Sequence, residues 1–173
     1  VDFNQNYFEI FGLPVSYDLD VKALAERFRE LQREMHPDRF AASTEHEKRL
    51  SMQWSSLINT AHDTLKAPLP RAIYMMELKG RDVDHNPVLP PAFLMEQIEL
   101  REELEALEDD PAGLEKLDAF KARVREVARG IETEFGEVVD SDDDRALIAV
   151  YELQFMTRLL DAANHLEEKL LDY

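Results

Sequence analysis

The feature that most constrains this chain is the spacing of its apolar side chains. They recur at intervals of three and four residues in stretch after stretch, and no segment of useful length alternates as a strand would. Each stretch is closed by a residue that stops a helix. The spacing predicts a short helix over 4–11, ended by Gly12 and Pro14, and a longer one over 19–35, capped by Asp18 or Asp20 and closed by Pro37. A third runs over 43–66 from Ser43 or Thr44 to Pro68, and a fourth over 69–79 to Gly80. Residues 80–90 carry charge, Asn86 and prolines without periodicity, and read as a linker. Three amphipathic stretches follow, over 91–108, 112–135 and 142–171, separated by Asp109-Asp110-Pro111 and by residues 136–140. Connections this short favour antiparallel neighbours. The expectation is an all-α protein: a helical domain over 1–79, a linker over 80–90 and a three-helix bundle over 91–173.

Composition removes several classes of function. There is no cysteine, hence no disulfide, thiol nucleophile or cysteine-ligated metal on this chain. No apolar run approaches the roughly 20 residues that cross a bilayer, and no secretory signal is visible, so a cytoplasmic protein is expected. The net charge of −17 is unevenly placed: residues 1–79 sum to −2 and residues 80–173 to −15. The acidic half would repel phosphate backbones and anionic lipid surfaces, which argues against nucleic acid and membrane as partners. Such asymmetry suggests two units with different partners.

Within 19–35, Leu24, Phe28, Leu31 and Met35 share one helical face, while Lys22, Arg29 and Arg33 share the opposite one. That basic stripe is either a solvated face or a strip for an acidic partner. Directly after it, Pro37 forces His36 out of the helical region and makes His36-Pro37-Asp38 a stiff, outward-facing corner. The spacing suggests that the histidine and aspartate do not readily face one another, and no nucleophile stands beside them, so no catalytic residue is assigned. In the stretch after 91, Leu100, Leu104 and Leu107 fall within about 40° of Phe93 around the helix. Leu94, Met95 and Ile98 form a second apolar patch flanked by Glu99 and Glu102. It is either a broad packing face or an exposed docking site. The remaining histidines, His46, His62, His85 and His165, are scattered, and no metal site is expected. Asp161 and His165 read as a surface pair.

Three segments together carry a resemblance. Tyr7 to Leu13, the His36-Pro37-Asp38 corner after a basic helix, and Ile58 to Leu65 resemble a J-domain. Residues 92–104 and 166–173 narrow this to the HscB family of J-type co-chaperones in bacterial iron–sulfur cluster assembly. The resemblance implies docking of a DnaK-type chaperone (HscA-like) through His36, Pro37, Asp38, Lys22, Arg29, Arg33 and Arg39, with stimulation of its ATPase. It also implies docking of an iron–sulfur scaffold protein (IscU-like) through Leu94, Met95, Ile98, Glu99, Glu102 and an exposed Phe155, with no cofactor. Where relatives can carry arginine this chain has Gln154. The cysteine-rich leader of eukaryotic relatives is not in this sequence, which points to the bacterial form. The competing reading from composition alone is a small acidic helical protein that binds iron directly through carboxylates; a metal-free, colourless preparation separates the two.

Overall fold

The computed structural model describes residues 2–83 and 87–172. His85 and Asn86, in the middle of the expected linker, lie outside them. The described residues form seven α-helices and no strand: α1 (Tyr7–Ile10), α2 (Val21–Met35), α3 (Glu45–Leu65), α4 (Pro68–Leu78), α5 (Pro91–Ala106), α6 (Gly113–Val138) and α7 (Asp143–Leu171). A short 3-10 turn, Pro37–Phe40, follows α2. Contacts divide the chain into residues 1–75 and 76–173.

The first unit is built around α2 and α3, antiparallel about the 3-10 turn. Asp20 caps α2 by accepting from the Lys22 and Ala23 N–H groups, and Thr44 and Glu47 form a reciprocal capping box on α3. α1 ends at Gly12, whose φ of 65° only glycine adopts freely. The Gly12 N–H donates to the Glu9 carbonyl and the Leu13 N–H to the Phe8 carbonyl, both at 3.0 Å, completing a Schellman close. Phe8, Phe11, Leu24, Ile58 and Leu65 are fully buried and form the core. Tyr74 stacks on Tyr7 with ring centroids 4.3 Å apart and accepts a hydrogen bond from the Tyr7 N–H.

The second unit is dominated by α6 and α7, 26 and 29 residues long. Leu117, Phe120, Val124, Ile131 and Phe135 of α6 are buried, as are Val150, Leu153, Met156 and Leu159 of α7. Ala146, Ala149 and Ala163 are fully buried on α7, where small side chains permit close helix approach. The helix break expected over 136–140 is displaced: α6 continues to Val138. Gly136 costs the helix about 1 kcal/mol relative to alanine, but continuing it brings the buried Val139 one turn beyond the buried Phe135. Two ties hold the pair. Lys121, itself buried, donates to Glu167 at 2.7 Å and to Asn164 at 3.2 Å. Arg145 grips both carboxylate oxygens of Glu134 at 2.6 Å and reaches Glu152 at 2.8 Å. Those partners, Glu134 foremost, raise the pKa of Arg145 above its ordinary value.

The division between the units falls inside α4, upstream of the expected linker, and side-chain bonds explain why. Lys79 donates to the Val139 carbonyl and to Asp143, and Arg81 pairs with Asp144 at 2.5 Å. The last turn of α4 and the residues after it are thereby fastened to the α6–α7 connection. α5 opens with Pro91 in its first turn, where a missing N–H is tolerated, and packs Phe93, Leu104 and Leu107 inward.

Candidate functional site

Two surfaces, one on each unit, collect most of the residues singled out from sequence. On the first, the end of α2 and the 3-10 turn meet α3 across a cleft of about 810 Å³. Arg29, Arg33, His36, Pro37 and Arg39 line it, together with Gln32, Ser55, Ile58 and Asn59. Lys22 is exposed on α2 but does not line the cleft. The basic side chains therefore gather about the corner. Arg27 stands apart, paired with Glu30 at 2.6 Å.

The corner itself is ordered by local bonds. His36 caps the 3-10 turn: its Nδ1 accepts from the Asp38 N–H at 3.2 Å. Asp38 lies closer to the histidine than the sequence suggested, with Oδ2 3.6 Å from Nδ1, because the 3-10 turn folds residue 38 back over residue 36. Both side chains remain open, His36 at 58% and Asp38 at 93%. Arg39 donates from its guanidinium to the Arg33 carbonyl at 3.4 Å.

Gln32, Ser55, Ile58 and Asn59 were not expected at this site from the sequence, although Ile58 and Asn59 open the segment that resembles a J-domain. The signal that finds them is antiparallel register. Counting outward from the turn pairs Met35 with Ser51 and Ser55, Gln32 with Asn59, and Phe28 with His62; Gln32 donates to Asn59 at 3.3 Å, and the Phe28 and His62 rings stack at 3.8 Å. Burial, reinforced by the Lys66 ammonium and opposed by Asp63, pushes the His62 imidazole below its usual pKa.

On the second unit, Leu94, Met95 and Ile98 stand out from α5, at 44%, 60% and 55% exposure. Glu99 and Glu102 are exposed beside them. Phe93 is buried on the opposite side, so α5 carries two distinct apolar faces and the outer one is unpacked. Phe155 departs from the expectation that it lies exposed in the same patch. It is 7% exposed, meets Phe93 edge-on, and has the Arg101 guanidinium 5.8 Å from its ring centre. Its long helix carries apolar residues on several faces, and residue 155 turns toward α5. Gln154 is half-buried and lines a smaller cleft with Gln97, Tyr151 and Arg158.

Elsewhere, His165 is exposed with Glu168 3.9 Å away. Among the described residues no three histidine or carboxylate side chains converge as a metal site would require. None of the helices there is long and apolar enough to cross a membrane.

Comparison with known proteins adds to this geometry. Residues 89–164 match the family model described as the HSCB C-terminal oligomerisation domain. Chaperone HscB from Vibrio cholerae shares 36% sequence identity with this chain, at a TM-score of 0.85, over 96% of this chain and 99% of that one. The chain belongs to the HscB family. HscB proteins are co-chaperones of iron–sulfur cluster assembly that work with chaperone and scaffold partners, and the two helical units here are the J-domain and the C-terminal bundle of that family. Two further structures share the fold at 23% identity. The human co-chaperone HscB has a TM-score of 0.86 over 100% of this chain and 86% of its own. The Jac1 co-chaperone from Saccharomyces cerevisiae has 0.68 over 92% and 97%.

Proposed function

We propose that this HscB-family chain is a two-surface adaptor that delivers an IscU-type scaffold to an HscA-type chaperone and stimulates its ATPase. The first unit, residues 1–75, docks the chaperone, and the second, residues 76–173, holds the scaffold on its helices beyond residue 90. The observation that carries the reading is the convergence of Arg29, Arg33 and Arg39 on the cleft that the His36-Pro37-Asp38 corner borders. Exposed cations of one sign steer an acidic partner to a defined place. There the rigid corner presents an exposed imidazole and an open carboxylate to the chaperone, and Lys22 extends the basic strip along α2.

The scaffold surface is the outer face of α5. Leu94, Met95 and Ile98 supply adaptable apolar contact, and Glu99 and Glu102 flank it with charge. Phe155 acts from behind, as the buried support of α5 through Phe93. Neither surface performs bond chemistry; each serves binding. Greater identity to the Vibrio cholerae chain than to the human one supports a bacterial cytoplasmic setting.

The test is to measure ATP hydrolysis by an HscA-type chaperone with this chain, with an IscU-type scaffold, and with both. The reading requires that the two together raise the rate beyond either alone. Rates with both that equal the larger single effect contradict it.

A further inference from the structure

Pro37 creates a local shortage of hydrogen-bond donors. It has no N–H, so the Arg33 carbonyl, four residues back, loses the partner that a continuing helix would supply. The Arg39 guanidinium takes that place. The Met35 carbonyl is orphaned as well, because the Arg39 N–H turns instead to the His36 carbonyl at 3.0 Å. Two hydroxyls from α3 answer it: Ser51 donates to the Met35 oxygen at 2.8 Å and Ser55 at 3.0 Å.

One donor satisfies a carbonyl; two, arriving from successive turns of the facing helix, also fix its direction. The Met35 carbonyl lies in the planar peptide unit that carries the His36 nitrogen and Cα. Holding that oxygen therefore sets the plane from which His36 departs. A serine inside a helix usually folds its hydroxyl back onto the preceding turn, where alanine would serve the helix better. Here Ser51 is 1% exposed and both hydroxyls reach across to α2 instead.

We propose that Ser51 and Ser55 are positioning residues that aim the His36-Pro37-Asp38 corner, so that they set how effectively a bound chaperone is stimulated rather than how tightly it binds. The inference rests on the co-chaperone reading above. Arg29 and Arg33 stand on α2, ahead of the corner, and are untouched by changes at 51 and 55, so they still steer the chaperone while the corner loses its fixed direction.

The experiment titrates an HscA-type ATPase with the wild-type chain, Ser51→Ala, Ser51→Ala/Ser55→Ala and Ser51→Ala/Ser55→Thr, below the melting range of each. The double alanine variant should lower maximal stimulation by about tenfold, since small misplacements carry large penalties in rate. The single Ser51→Ala variant, at a buried position outside the cleft lining, keeps the Ser55 donor and should fall between with the half-saturating concentration nearly unchanged, and threonine at 55, retaining a hydroxyl, should restore most of the double variant's loss. Backbone amide shifts should change mainly over residues 36–40. Leu65→Ala, at the far end of α3, serves as a destabilised control that leaves the corner alone. Maximal stimulation equal to wild type in the double variant overturns the inference, and so does a loss matched by Leu65→Ala or unrelieved by threonine. Failure of the wild-type chain itself to stimulate overturns the co-chaperone reading and this inference with it.

Discussion

Phe155 meets Phe93 edge-on, with ring centroids 5.8 Å apart and planes at 88°. Through this contact α7 braces the buried side of α5, while Leu94, Met95 and Ile98 face outward from the other side.

The contact separates two kinds of substitution that the sequence groups together. Leu94→Ala with Met95→Ala should change unfolding free energy little, since exposed positions usually stay within about 0.5 kcal/mol each. Phe155→Ala empties a packed site and should cost about 3–5 kcal/mol. Urea denaturation of the two variants checks this. A Phe155→Ala chain as stable as wild type would place the ring in the open after all.

His36→Gln should leave helicity and the thermal midpoint nearly unchanged, because His36 is exposed and makes one local capping bond. Chaperone stimulation should vanish while scaffold binding persists. Circular dichroism alongside an ATPase titration decides it; loss of folding would make His36 structural.

Charge reversal and salt should act alike on the cleft. Arg29→Glu with Arg33→Glu should weaken chaperone binding at fixed ionic strength. Raising salt should weaken wild-type binding, because exposed charges are screened beyond about 8–10 Å at physiological ionic strength. Calorimetric titration at two salt concentrations provides the check, and a salt-independent affinity would reduce the stripe to a solvated face.

His62 gives the first unit a pH dependence. Its folded pKa lies below the ordinary 6.5, so between those two values the unfolded chain binds more protons than the folded one. The contribution is therefore complete above about 6.5 and is lost as pH falls through the folded value. Urea midpoints should drop on acidification through that window, and His62→Gln should flatten this part of the profile. A slope unaltered by the substitution would assign it to other groups.

Much of this architecture is legible in the residues, and the exceptions have physical causes. Gly12 and Gly80 close helices because both positions need positive φ, a requirement local enough to read from sequence. Gly136 resembles them in sequence but lies within α6, since the decisive fact is the burial of Val139 one turn beyond Phe135. On α5 the spacing separates Met95 from Phe93 by 200°, so packing one exposes the other, but it leaves open whether Leu94 and Ile98 pack against a neighbour or stand out with Met95. Phe155 was not legible, because α7 carries apolar residues on several faces and periodicity alone does not say which neighbour each one meets. Ser51 and Ser55 lie beyond any local pattern: their role depends on the register of α3 against α2.

The most direct test of the two-surface account compares His36→Gln with Leu94→Ala/Met95→Ala in the same ATPase assay, with and without an IscU-type scaffold. The account predicts that Leu94→Ala/Met95→Ala keeps the stimulation seen without scaffold and loses the increment the scaffold adds. His36→Gln should lose both while still binding scaffold. If the α5 variant, with folding intact, loses scaffold-independent stimulation, the two surfaces are not separable and the account is wrong.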